Sequence, residues 1–125
     1  MDELVAFVTA RLDEVETAAR RATPGPWRQE PQEHQRIVGP TGVVVCVAGA
    51  GEMSDRQGQR DAGHIARNDP ARVLREIEAK REVVRQCADL HAGDSPLVAY
   101  SAGVMLRALA AVYVGHPDYP EAWRP

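Results

Sequence analysis

Apolar residues at the start of the chain recur at steps of three and four: Leu4, Val8, Leu12, Val15 and Ala19. That period stacks them on one face of a helix, with Glu3, Arg11, Asp13, Glu14, Glu16 and Arg20 largely outside the stripe. An amphipathic helix over Asp2 to Arg21 follows, with Asp2 as a candidate cap and acidic residues suited to its first turn. Thr23-Pro24 ends it, because the residue before proline is pushed out of helical geometry. Pro24-Gly25-Pro26 then forces a turn, and Trp27 follows as a structural anchor, expected to lie mostly buried against this helix. Beyond the turn the pattern shortens to strand-like runs at Trp27 to Glu30, Arg36 to Val38 and Val43 to Val47. Gly39-Pro40-Thr41-Gly42 is a natural hairpin turn between the last two. The Val43 to Val47 run is apolar without alternation, which predicts a strand covered on both faces or lying at a contact.

From Ala48 to Gln59 glycine, serine and aspartate predominate, predicting a mobile loop. A short second helix is expected to begin near Asp61. Asn68-Asp69-Pro70 stops it and starts a third, with Asp69 as cap and Pro70 at the first position. The third helix carries the stripe Val73, Leu74, Ile77, Val84, Cys87 and Ala88 to about Leu90, where Gly93-Asp94-Ser95-Pro96 breaks it. Leu97 to Val114 is apolar nearly all round and approaches the length of a membrane span. Arg107 near its middle and the lack of other spans argue against insertion. The alternatives are a helix buried within the monomer and one shared with a second copy, and the second predicts a homodimer. Tyr119 and Trp123, in a tail expected to lack regular structure, are expected to pack back on the body. The pattern as a whole predicts an α+β fold in a single domain over 1–125. A long N-terminal helix leads into a small antiparallel sheet of about three strands, followed by three helices. Helices one and three are expected to cover one sheet face.

Composition changes this picture little. The chain has 125 residues, 44% hydrophobic and 26% charged, which suits an ordinary folded protein and excludes global disorder. Its formal net charge of -3 removes the usual electrostatic footprint of nucleic-acid binding and argues against such a partner. The arginines between Arg67 and Arg85 alternate with Glu76, Glu78 and Glu82, as on a solvated helix face. Cys46 and Cys87 lack close metal spacing. With a start that lacks signal-peptide form, they predict free thiols and a cytoplasmic location.

Candidate chemistry is sparse. Asp61, His64 and Asn68 stand at helical steps, with Arg67 beside them, and a carboxylate three residues from a histidine can orient its ring for general-base work. The same residues serve equally as a cap and helix-end polar cluster. Asp61, His64, Arg67 and Arg72, with Arg60, are candidate ligand-binding residues for a nucleotide or other anion at the helix starts. Cys87 and His91 stand four apart, but two ligands fall short of a structural zinc site, so no metal and no cofactor is expected. Ala48-Gly49-Ala50-Gly51-Glu52-Met53 looks like a phosphate-binding turn yet lacks the required spacing and the Gly-Lys-Ser/Thr. No nucleophile elbow and no His-Glu-x-x-His occurs, so no catalytic residue is assigned. The leading expectation is a non-catalytic binding or regulatory protein, with a protein partner or itself as occupant.

The segments Ala22-Thr23-Pro24-Gly25-Pro26-Trp27 and Asp61 to Leu74, the latter containing His64-Ile65-Ala66-Arg67 and Asp69-Pro70-Ala71-Arg72-Val73-Leu74, resemble DUF6221, a family of small actinobacterial and actinophage proteins. Leu4-Val5-Ala6-Phe7, Arg11 to Glu14, Glu78 to Arg81, Tyr113, His116 to Tyr119 and Trp123-Arg124-Pro125 extend the resemblance along nearly the whole chain. The family has no established activity, so it implies no reaction. It implies a mobile-element or host-interaction setting.

Overall fold

A computed structural model describes residues 1–49 and 55–124. In chain order the elements are α1 (Asp2–Arg21), β1 (Arg28–Glu30), β2 (Glu33–Val38), β3 (Val44–Val47), α2 (Asp55–Arg67), α3 (Pro70–Ala92) and α4 (Pro96–Ala111), then a 3-10 turn at Glu121–Trp123. The fold is α+β, with a long first helix, a three-stranded antiparallel sheet and three further helices. Two compact units are described in turn: residues 16–76, and residues 1–15 with 77–125.

The unit of residues 16–76 holds the sheet, in the order β1-β2-β3. Arg28 pairs with Val38 and Gln29 with Ile37. On the other side of β2, Ile37 pairs with Cys46 and Val38 with Val44. The expected hairpin turn forms: Gly39 N–H donates to the Val43 carbonyl at 2.9 Å, and Gly42 takes φ +82°, a conformation open to glycine at little cost. Ile37 and Val38 on the central strand are buried, and α2 packs against β1 and β2. Gln29 Nε2 ties the two layers together, donating to the His34 carbonyl at 2.8 Å and the Gln59 carbonyl at 3.0 Å.

Two expectations are corrected here. The second helix begins at Asp55, well before Asp61, so residues 55–59 of the expected loop are helical; residues 50–54 of that loop lie outside the described residues. Its buried side is made by Gly58 and Ala62, which leave no apolar stripe to read. A Cβ at Gly58 would sit 2.9 Å from Gly49 Cα, so the helix approaches the end of β3 through two glycines, and tertiary packing stabilises what propensity does not. The second correction concerns β3: of the two alternatives, a strand covered on both faces is excluded, since Val43, Val44 and Val47 are about half exposed.

The unit of residues 1–15 and 77–125 has a helical core. Leu4, Val8 and Leu12 of α1, Ile77, Val84 and Cys87 of α3, and Ala102, Leu106 and Ala110 of α4 are all buried. Burying a side chain such as Leu12 or Leu106 contributes about 2 kcal/mol. Ser95 Oγ accepts from Val98 N–H at 3.4 Å as the cap of α4, with Pro96 at its first position.

The tail packs on α1 as expected. The Phe7 ring meets Tyr119 and Trp123 edge to face, each at 5.6 Å. Arg11, at 6% exposure, is the charged counterpart. Its guanidinium lies 5.0 Å from the Phe7 centroid and donates to Glu14 at 3.0 Å and to His116 Nδ1 at 2.8 Å. The Asp118 amide also donates to His116 Nδ1, at 3.0 Å. Two donors on Nδ1 place the ring proton on Nε2, which faces Glu14 at 3.4 Å.

Candidate functional site

The two motifs that punctuate the sequence meet in space. Asp69 precedes the first turn of α3 and is buried. Its Oδ1 accepts from Arg72 N–H at 2.8 Å, which caps α3; its Oδ2 accepts from Trp27 N–H, also at 2.8 Å. The Trp27 indole donates to the Thr23 carbonyl at 2.8 Å and closes the turn on itself. Gly25 lies against the same place: a Cβ there would fall 2.8 Å from both Ala71 Cβ and Asp69 Oδ2. One carboxylate thus satisfies two orphan amides and holds a turn that only glycine permits. Trp27 is of intermediate exposure, and both its backbone amide and its indole N–H take part in the attachment.

The candidate ligand residues do not converge. Asp61 accepts from Gln57 Nε2 at 2.9 Å, one turn back, and not from His64. The His64 ring is exposed, with no hydrogen bond among the described residues, while its carbonyl accepts from Asn68 Nδ2 at 2.8 Å. Arg67 is exposed and lends its carbonyl to Arg72 Nη1 at 3.2 Å. Arg72 in turn pairs with Glu76 at 2.9 Å. The hollow of about 330 Å³ beside the motifs is lined by Ala19, Arg20, Ala22, Pro24, Gly25, Pro70, Ala71 and Leu74, with none of the four candidates in its wall. Asp69 also fills the start of α3 with a carboxylate, which repels an anionic ligand there. Among the described residues no acid–base pair is assembled around these side chains.

Cys46 and Cys87 are free thiols. Cys87 is buried and His91, at the end of α3, is exposed. Among the described residues no group of three or more His, Cys, Asp or Glu is placed to hold a metal ion. No helix there is long and apolar enough to cross a membrane.

The largest unsatisfied feature is the outer face of α4. Ala102, Leu106 and Ala110 face inward, and on the opposite side Leu97 is 76% and Tyr100 72% exposed, with Val104 about half exposed between them in helical register. Met105 and Val112 widen the patch. Arg107 is its one charge, and the guanidinium leans over the Trp123 ring at 6.0 Å. Alongside runs an open groove of about 800 Å³ bordered by Leu4, Tyr100, Val104, Arg107 and Trp123. A contiguous exposed apolar helix face of this kind marks an interaction surface. The sequence showed that α4 is apolar all round; which side is left open needed the packing of the other helices.

No curated protein and no solved structure matches the chain. The model of the family of unknown function DUF6221 matches residues 1–125, and the chain belongs to that family.

Proposed function

We propose that the protein is a non-catalytic interaction module that self-associates through the outer face of α4. The observation that carries this is the exposed row Leu97, Tyr100, Val104 with Ala108 and Ala111 on the same side. The row is self-complementary. If two copies of α4 cross antiparallel with Val104 at the two-fold axis, Leu97 falls opposite Ala111 and Tyr100 opposite Ala108, large against small. Ser101 falls opposite Arg107, a hydroxyl acceptor against a guanidinium donor. An isologous contact needs this reciprocity, in which residue i meets j and j meets i. The groove beside Tyr100 and Trp123 supplies further area at the margin. The free thiols support a reducing cytoplasm as the compartment, and membership of the family supports a mobile-element or host-interaction setting.

Light scattering after size exclusion, over a wide range of concentration, tests the reading. The parent should run at twice the 13.7 kDa chain mass. Val104→Glu, which sets two carboxylates face to face at the axis, should run at the single mass with an unchanged circular dichroism spectrum. A parent that stays monomeric at its highest soluble concentration would sink the proposal.

A further inference from the structure

We propose that the outer face of α2 binds the phosphate backbone of a duplex nucleic acid. Arg56, Arg60, His64 and Arg67 follow one another at steps of four, four and three, so they form a single row along the helix, and all four are exposed. The row spans about 16 Å at 1.5 Å per residue. Arg56, Arg60 and Arg67 make no ion pair among the described residues, in contrast to Arg72, Arg36, Arg81 and Arg85, which meet Glu76, Glu30 and Glu33, Asp13 and Glu82. The acidic total of the chain therefore hides a local basic row: among the described residues three guanidinium groups on one face of α2 have no carboxylate partner. Asp55 and Asp61 of the same helix lie roughly 100° or more around from the three arginines, and Asp61 is held by Gln57.

The composition of the face selects its occupant. α2 carries no Phe, Tyr or Trp, so it offers no platform for stacked single-stranded bases. The row itself holds no apolar side chain to form the desolvated centre that a specific protein interface needs. What it presents is planar, always-charged guanidinium with Gln59 alongside, donors suited to phosphate oxygens. Such contacts fix a protein on a duplex without reading sequence.

Fluorescence anisotropy with a labelled 20-bp DNA duplex tests this on the full chain. Neutralising three phosphates gives a slope of about -2.7 for log affinity against log salt, so affinity should fall about 40-fold between 50 and 200 mM salt. Arg60→Ala should reduce the slope by about 0.9, and the triple variant Arg56→Ala, Arg60→Ala, Arg67→Ala should abolish binding without changing the melting curve. Absence of binding by the parent, or equal binding by the triple variant, overturns the proposal. Polyglutamate that competes as well as unlabelled duplex would assign the face to an acidic protein and overturn it equally.

Discussion

Asp69→Ala is the perturbation that most directly tests how the two motifs are joined. Asp69 is 6% exposed and spends one oxygen on Arg72 N–H and the other on Trp27 N–H, each at 2.8 Å. Loss of the cap costs about 1 kcal/mol. Leaving the part-buried Trp27 amide without its charged acceptor costs about 1.5 kcal/mol more. The sum, about 2.5 kcal/mol, is a large fraction of the 5–15 kcal/mol that domains typically hold in reserve. Asp69→Ser separates the two contributions, since a serine hydroxyl caps the helix but is too short to reach Trp27. It should lose about 1.5 kcal/mol and retain the rest. Urea unfolding followed by circular dichroism gives both values, read from midpoint shifts at constant slope. If Asp69→Ala lies within about 0.5 kcal/mol of the parent, the size expected of an unremarkable surface change, the junction is not held as argued.

Two further outcomes are expected. Gly25→Ala sets a methyl group 2.8 Å from Ala71 Cβ and Asp69 Oδ2 and should destabilise by about 2 kcal/mol through overpacking; a neutral melt would show that the turn yields. Burial pushes the Cys87 thiol above the ordinary thiol range, and burial likewise raises Tyr113, with Arg11 opposing and Glu14 adding to it. A raised native pKa means that the unfolded chain loses its proton first. Stability is then full below the unfolded thiol value of about 8.5 and drains as pH rises through the native one. Cys87→Ala should flatten the first part of that decline in urea titrations, whereas a parent curve level through this window refutes the assignment.

Much of the fold is legible in the pattern of residues, because local chemistry decides it. Prolines at 24, 70 and 96 punctuate the helices, the three- and four-step stripe of α1 has one solution, and Gly39 to Gly42 can only turn. The tail rings of Tyr119 and Trp123 were also expected on the body, and both meet Phe7. Sequence spacing likewise identified Asp69 as a cap, since a short acceptor before Pro70 needs only its own helix start. It could not show that the second oxygen of the same carboxylate takes the Trp27 amide, forty-two residues away, because no local pattern encodes a contact at that distance. Whether Asp61, His64, Arg67 and Arg72 line one hollow was closed to sequence reading for a related reason. Helical spacing places side chains on a face, but whether that face turns inward to a pocket or outward to water depends on what packs behind it.

The early start of α2 and the half-exposed valines of β3 belong to the tertiary structure for the same reason. Asp55 to Gln59 carries no apolar period, and its helix forms where Gly58 meets Gly49 and Ala62 is buried. Val43 to Val47 reads as a strand covered on both faces or lying at a contact, and only the folded chain shows three of its valines about half exposed. On α4 the sequence determined an apolar helix and nothing about its direction; packing buried Ala102, Leu106 and Ala110 and left Leu97, Tyr100 and Val104 in water. Residue order sets backbone preference and periodicity through neighbours a few positions apart. Which face of each element is removed from solvent depends on surfaces that only the folded chain brings together.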